Sequence, residues 1–314
     1  MAHSRCPPEI CFKQEHLTLS ELKENYESDH HYLWRRNILP YPESVLFTTS
    51  RVCHVTGESG FRGIIRDGGF RKPPHLETED NFLWWSLSVT KSEIAFAEKR
   101  FYRWTFEDAD YNQSPFLEKF TTSPAFQSES RYGNFRFTFP FRKLLREYAQ
   151  QFCEDSAPVL RVLCTELYRQ QILYTVLVHP RHVQKYGQYP RLPYSMNSVC
   201  GYRDGYMSWL CQSPSDSYFY KLVVDNTNCQ MFAKPLKGRV SCVWDNVAVA
   251  FHMEPGTELS INRRELLDSV SVCDMTKPNL LRDPGTPLDS DEANKILQDL
   301  RERNGLGQQK YYAY

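Results

Sequence analysis

The stretch that decides the fold runs from Arg51 to Arg103 and has the sequence RVCHVTGESGFRGIIRDGGFRKPPHLETEDNFLWWSLSVTKSEIAFAEKRFYR. Its beginning, Val52–Thr56, is a short apolar and β-branched run that carries a histidine, which predicts a strand. After Gly57, apolar residues recur three and four positions apart, and this spacing predicts an amphipathic helix. Gly68 and Gly69 end that helix, because glycine adopts the left-handed or open backbone without a steric penalty.

The second half of the same stretch predicts another strand and another helix. Residues 82–89 are dense in aromatic and β-favouring side chains and include the adjacent pair Trp84 and Trp85, as suits a half-buried strand. Neighbouring strand residues point to opposite faces, so one tryptophan fills the core while the other lines a cleft or a partner surface. Thr90 and Glu93 have the spacing of a capping box at the start of the next helix.

Outside this stretch, apolar runs predict more strands than helices. The clearest buried strand is 171–178, while 218–225 and 229–233 predict a hairpin. Helices are predicted over 141–153 and 289–303, the second opening with capping residues. No regular alternation of strands and helices occurs, so we expect an α+β architecture rather than a doubly wound parallel sheet.

Composition narrows the classes of protein. The chain has 314 residues, enough for one or two domains, and 38 basic residues balance 38 acidic ones, so it lacks the overall positive field of a protein that binds nucleic acid chiefly through phosphates. Ten cysteines form no Cys-x-x-Cys pair, which argues against a zinc ribbon and favours reduced thiols in a cytoplasmic protein. Without an apolar run of membrane-spanning length, we expect no membrane partner.

The order of segments is similar to the opening of the ADP-ribosyltransferase superfamily, above all its poly(ADP-ribose) polymerase-like branch and the related RNA 2'-phosphotransferases. In that family a strand ends in His-Gly-Thr or His-Gly-Ser, and a helix ends at a Gly-Phe turn. A Tyr-Phe-Ala strand then precedes a serine-rich helix start that contains Ala-x-Tyr. The matching segments here are His54–Thr56, Gly69–Phe70, Trp84–Ser88 and Ser92–Phe96. The sequence departs from the family at Val55, where the family has glycine, and at tryptophan in place of tyrosine.

This resemblance implies a fold and an activity. The fold would be a split antiparallel sheet with flanking helices over residues 41–276, after an N-terminal helical extension at 1–40 and before a linker and C-terminal helix at 277–314. The activity would be cleavage of the bond between nicotinamide and ribose in NAD, the substrate. ADP-ribose would then pass to a protein or nucleic acid acceptor.

The resemblance also implies residues that bind NAD. The family histidine binds the ribose and the next residue grips the carboxamide through its backbone, roles that fall to His54 and Val55, with Thr56 beside them. Val55 keeps the backbone groups but not the close approach that glycine allows. Trp85 replaces the tyrosine and stacks on nicotinamide, and Ser92 lies in the serine-rich helix start.

The third catalytic element of the family is a carboxylate at the start of a later strand. Asp245 fits best, because it enters the apolar run 241–251, and it completes a catalytic set with His54 and Trp85. Glu254 is the alternative, although Pro255 and Gly256 after it predict a turn. An anion placed there stabilises the cation-like sugar of the transition state.

Two other functions stay open at this stage. One is a catalytically inactive module of the same fold that binds a nucleotide, ADP-ribose or a protein. The other is an unrelated α+β interaction protein, for instance of the innate immune response. The enzyme predicts that His54, Trp85 and Asp245 line one cleft, whereas the unrelated protein predicts a buried His54 with no cleft beside it.

Overall fold

An eight-stranded mixed sheet is the largest element of the protein. The computed structural model describes residues 9–10, 45–72, 81–96, 99, 128–130, 132–167, 171–187, 189, 191–192, 200–211, 220–225, 230–235, 246–275 and 288–304. The strands are β1 Glu9–Ile10, β2 Val45–Thr49, β3 Arg51–Thr56, β4 Gly69–Phe70, β5 Phe82–Ser88, β6 Phe135–Pro140, β7 Val159–Leu167, β8 Gln171–His179, β9 Cys200–Arg203, β10 Tyr206–Cys211, β11 Tyr220–Asp225, β12 Gln230–Pro235, β13 Asn246–His252, β14 Leu259–Ser260 and β15 Val270–Val272. The helices are α1 Glu58–Asp67, α2 Phe141–Phe152, α3 Arg263–Ser269 and α4 Ser290–Arg303; residues 91–96 are also helical.

The strand order of the large sheet is β1-β7-β8-β13-β5-β3-β6-β15. Every neighbouring pair is antiparallel except β8 and β13, which run parallel. Smaller ladders join β2, β10 and β9, then β11 and β12, then β4 and β14. The α+β prediction is therefore confirmed, and the predicted hairpin is present as β11 and β12. The one parallel pair makes the sheet mixed rather than purely antiparallel.

One face of the large sheet is buried by helices. Each of the four helices α1 to α4 contributes apolar side chains to a single core cluster with the sheet. The fully buried residues of that cluster include Phe61 of α1, Tyr148 of α2 and Leu267 of α3, and burying such a side chain contributes about 1.5–3 kcal/mol. The helices therefore hold β3, β5, β6 and β13 in fixed relative positions.

Local signals set the ends of these helices. Gly68 has a left-handed backbone with φ of 85°, and its N–H donates to the carbonyl oxygen of Ile64 at 2.9 Å, as the Gly-Gly pair predicts. The Thr90 capping box is present, since the Thr90 N–H donates to Glu93 Oε2 at 2.6 Å and the Glu93 N–H donates to Thr90 Oγ1 at 3.2 Å. An equivalent capping box opens α4 at Asp289.

Several predicted segments lie partly outside the described residues. The helical extension predicted over 1–40 is described only at Glu9–Ile10, and these residues are a strand paired with β7. The strand predicted over 241–251 is observed from Asn246 to His252, while 236–245 and the linker at 276–287 lie outside the described residues. None of the helices that can be described is long and apolar enough to cross a membrane.

Four cysteine side chains lie in the core. These are Cys53, Cys153, Cys200 and Cys273, and all are buried. Burial raises the pKa of the Cys53 thiol to about 11 and that of Cys200 to about 12. These thiols are therefore protonated near neutral pH and unreactive, as predicted for reduced core residues.

Candidate functional site

The strands β3 and β5 separate partway along their length, and the opening between them is the candidate site. Their ladder pairs Arg51–Cys53 with Ser86–Ser88. Beyond Cys53 no backbone pairing joins these two described strands, although His54–Thr56 stay paired with β6 and Phe82–Trp85 stay paired with β13. We call the opening between His54–Thr56 and Phe82–Trp85 the split.

The side chain of His54 bridges the split. Its Nδ1 lies 2.9 Å from the carbonyl oxygen of Trp84, and because a carbonyl only accepts, Nδ1 carries the proton and donates it. The other ring nitrogen, Nε2, is then an unprotonated acceptor. Burial lowers the pKa of His54 from its ordinary value, an effect that the hydrogen bond to Trp84 partly opposes. His54 is therefore neutral near pH 7.

Trp85 lies in the core rather than in an accessible cleft. It is 2% exposed, and its ring centroid is 4.9 Å from that of Phe70 and 5.4 Å from that of His54. Its Nε1 has no acceptor among the described residues. The ring therefore offers no free face, which does not fit the stacking role that the sequence predicts for Trp85.

Trp84 is the accessible tryptophan at the split. It is 41% exposed and points to the face of the sheet opposite Trp85, because side chains alternate along a strand. The ring of Phe82 meets it edge-on at 5.7 Å. The sequence contains a signal for this assignment: Ser86 and Ser88 share the face of Trp84, whereas Leu83 and Leu87 share that of Trp85.

On the face of Trp84, one row of the sheet consists of small side chains. The strand registers place these residues side by side across five strands, in the order Thr175, Ala248, Ser86, Cys53 and Thr138. Ser86, Ala248 and Thr138 are half-buried. The side chains next to Trp84 are therefore smaller than those next to Trp85 on the helix-covered face. This difference is apparent only from the pairing of the strands.

Val55 and Thr56 form the β3 side of the split. Both are half-buried, and glycines approach the end of the strand closely. A Cβ on Gly60 would lie 2.1 Å from Thr56 Oγ1, and a Cβ on Gly133 would lie 2.1 Å from the Thr56 carbonyl. Side chains larger than hydrogen at these two positions would push Thr56 out of place.

Three predicted residues remain, namely Ser92, Asp245 and Glu254. Ser92 is exposed and its Oγ lies 3.0 Å from Thr90 Oγ1, within the helix start. Asp245 lies outside the described residues and immediately precedes Asn246, the first residue of β13. Glu254 follows the other end of β13, where its Oε1 lies 3.9 Å from His182 Nε2.

Glu254 also lines a separate groove at the C-terminal end of α2. The groove has a volume of about 260 Å³, and its lining includes Tyr148, Glu154 and His252. The hydroxyl of Tyr148 donates to the carbonyl oxygen of His252 at 2.6 Å. Glu254 thus lines this groove and follows the end of β13 at which His252 pairs with Phe82.

Comparisons of the chain with protein-family models, with curated proteins and with solved structures found no match.

Proposed function

We propose that this chain is a divergent NAD-dependent ADP-ribosyltransferase that cleaves the nicotinamide–ribose bond and transfers ADP-ribose. One observation carries the proposal. The three strands associated with the motif residues are consecutive in the sheet, in the order β13, β5 and β3. β3 and β5 thereby bring His54, Val55 and Trp84 to the split, whereas β13 begins near the other end of β5, with Ala248 paired to Ser86 and Ala250 to Trp84.

The state of His54 suits contact with ribose. With its proton held on Nδ1 by the Trp84 carbonyl, Nε2 accepts a hydrogen bond from a ribose hydroxyl. A neutral imidazole also adds no positive charge next to a sugar that becomes cation-like in the transition state. The lowered pKa of His54 keeps the ring in this neutral form.

Nicotinamide has two sets of partners at the split. Val55 lies where β3 has no backbone pairing with β5, so backbone groups on that side are available to a carboxamide. Trp84 supplies the accessible aromatic surface for the ring. We therefore assign the stacking role to Trp84 in place of Trp85; because the Trp84 ring and the His54 imidazole lie on opposite faces of the sheet, the ligand contacts both only by passing through the split.

A carboxylate completes the proposed site. By the family resemblance it is Asp245, which precedes β13 directly; β13 begins near the Ser86–Ser88 end of β5, and the residue paired with Trp84 is Ala250. The anion of Asp245 would stabilise the developing positive charge on the sugar. Glu254 stays the alternative, because it follows the end of β13 at which His252 pairs with Phe82; its side chain lies 3.9 Å from His182.

A second candidate is an inactive module of the same fold that binds NAD or ADP-ribose without turnover. The packing of His54 favours it, since the imidazole lies 5.4 Å from both the Phe70 and Trp85 rings. Such contacts are typical of a histidine that stabilises the fold. The valine at position 55 also limits how closely a carboxamide approaches the backbone.

Calorimetric titration with NAD and with ADP-ribose, followed by an assay of nicotinamide release, tests both candidates. We expect His54→Ala to abolish binding and release, and the exposed His182→Ala control to retain both. Binding without release would support the inactive module. Absence of heat with either ligand at millimolar concentration would overturn both candidates and leave the unrelated interaction protein.

A further inference from the structure

The middle of the chain carries a local positive charge that the overall balance conceals. No aspartate or glutamate occurs between Glu166 and Asp204, whereas five lysines and arginines do. The chain as a whole has equal numbers of acidic and basic residues. The segment between these two acidic residues therefore has a formal charge of +5 with its histidines neutral.

Two arginines of this region lie directly opposite each other. An isolated antiparallel bridge joins Arg161 of β7 to Arg191, which places their Cβ atoms about 5 Å apart. Like charges in this arrangement repel. None of the ion pairs among the described residues joins either arginine to a carboxylate, so within the described part of the chain no ion pair offsets this repulsion.

The Arg161 guanidinium holds the segment that follows β8 in place. Its Nε donates to His179 Nε2 at 3.1 Å, and its Nη1 donates to the carbonyl oxygens of Tyr189 and Gly187. Burial and the nearby Arg191 lower the pKa of Arg161. The hydrogen bonds of Arg161 thus fix the position of the segment, while the side chain of Arg191 stays exposed.

We call the described residues between His179 and Leu192 the basic loop. Contacts of its aromatic rings fix its position. The Tyr186 hydroxyl hydrogen-bonds to His252 Nδ1 at 2.8 Å. Tyr189 stacks on Tyr186 with 6.4 Å between centroids and 23° between planes, and it remains half-buried. A partly accessible ring is therefore fixed among exposed cations.

We propose that the basic loop binds a single-stranded nucleic acid. The exposed Arg181 and Arg191 contact phosphates, and Tyr189 stacks on a base. Cations interleaved with aromatic rings are the combination that single strands require, because the phosphates supply most of the affinity and every base has a face for stacking. An acidic peptide would use the cations but not the ring.

The surface extends from the basic loop toward the split. Tyr186 contacts Phe82 at 5.9 Å, and Phe82 contacts the exposed Trp84 at 5.7 Å. The base of the basic loop is therefore two ring contacts away from Trp84. The inference does not depend on NAD chemistry, because binding is measured in the absence of NAD.

Fluorescence anisotropy of a labelled oligouridylate, titrated with the full chain over a series of salt concentrations, tests this proposal. We expect Arg181→Gln with Arg191→Gln to weaken binding at least tenfold, and to lower the slope of log affinity against log salt by about 1.4. Arg62→Gln with Arg264→Gln removes the same charge from exposed sites on α1 and α3 and should leave affinity unchanged. Tyr189→Leu should weaken binding about tenfold through lost stacking.

Three outcomes would overturn the proposal. The oligouridylate fails to bind, or the control pair weakens it as much as the loop pair does. Alternatively, polyglutamate competes as well as RNA and Tyr189→Leu binds normally, which would make the loop a general anion surface. Should the double variant melt at a lower temperature than wild type, Arg181→Gln alone gives the answer, because no hydrogen bond or ion pair joins that side chain to the described fold.

Discussion

The imidazole of His54 donates from Nδ1 to the carbonyl oxygen of Trp84 at 2.9 Å, at the point where the backbone ladder between β3 and β5 has ended. A side chain thus replaces a missing ladder bond. The same contact keeps two strands aligned across the split and fixes the proton on one ring nitrogen. Stability and ligand binding should therefore both depend on His54, and variants can separate the two.

Substitution of His54 should separate its hydrogen bond from its packing. His54→Ala removes both and should lower the free energy of unfolding by about 1–3 kcal/mol, with the Trp84 carbonyl left without its donor. Asparagine offers a side-chain N–H at a similar position, so His54→Asn should lose less. Urea denaturation of both variants measures the difference, and equal losses would show that the hydrogen bond contributes nothing to stability.

Stability should fall as the pH drops below the ordinary pKa of histidine. Burial lowers the pKa of His54 in the folded protein, so below about pH 6.5 the unfolded chain binds protons that the folded chain does not, which favours unfolding. The stabilisation is complete above that pH and is lost as the pH falls toward the lower folded pKa.

The same pH dependence should have a second source in His179. Burial lowers the pKa of His179, and Arg161 acts in the same direction, although the Pro180 carbonyl opposes both.

A variant separates the contribution of His54 from that of His179. Urea midpoints at about pH 7.5 and about pH 5.5 should differ less in His54→Asn than in wild type. An unchanged difference in this variant would mean that His54 titrates normally in the folded state.

The two adjacent tryptophans should respond differently to substitution. Trp85→Ala opens a cavity in the core and should cost about 3–5 kcal/mol, whereas Trp84→Ala removes an exposed ring and should cost about 1 kcal/mol or less. Trp85→Phe should cost much less than Trp85→Ala, because it also removes an Nε1 that has no acceptor among the described residues. Guanidinium denaturation ranks the three variants.

NAD binding should depend more on Trp84 than on Trp85, which is the reverse of their ranking for stability. Trp84→Ala should weaken NAD binding in calorimetry while the protein stays folded. A Trp84→Ala protein that binds NAD as wild type does would remove Trp84 from the proposed site.

Features of the fold that depend on neighbouring residues could be predicted from the sequence. Gly68 and the Thr90–Glu93 pair act within one helical turn, so their effect is visible in a short window. The exposure of Trp84 rather than Trp85 was also within reach, because the serines at 86 and 88 mark the polar face. The family resemblance alone assigns the stacking role to Trp85, which is the buried member of the pair.

Features that depend on strand pairing could not be predicted. The parallel pairing of β8 with β13 joins residues separated by more than sixty positions, and no local pattern encodes it. The split exists because the ladder between β3 and β5 ends after Cys53, which depends on how both strands pair with their other neighbours. The like-charged pair of Arg161 and Arg191 is equally invisible until the chain folds.

Two glycines of α1 should respond oppositely to alanine. A Cβ on Gly63 would meet nothing within 4 Å, so Gly63→Ala should stabilise the protein by about 0.5–1 kcal/mol through helix propensity. A Cβ on Gly60 would lie 2.1 Å from Thr56 Oγ1, so Gly60→Ala should destabilise the protein and displace Thr56 at the split. Thermal denaturation of both variants compares the same change three residues apart in one helix.

A second substitution shows whether the clash at Gly60 acts through Thr56. Thr56→Ala removes Oγ1, and the nearest atom that remains, Thr56 Cβ, would be 3.3 Å from the new Cβ, a separation that small adjustments accommodate. The Thr56→Ala, Gly60→Ala double variant should therefore recover most of the stability lost by Gly60→Ala, giving a coupling energy well above additivity. Additive losses would mean that the cost of Gly60→Ala does not arise from a contact with Thr56 Oγ1.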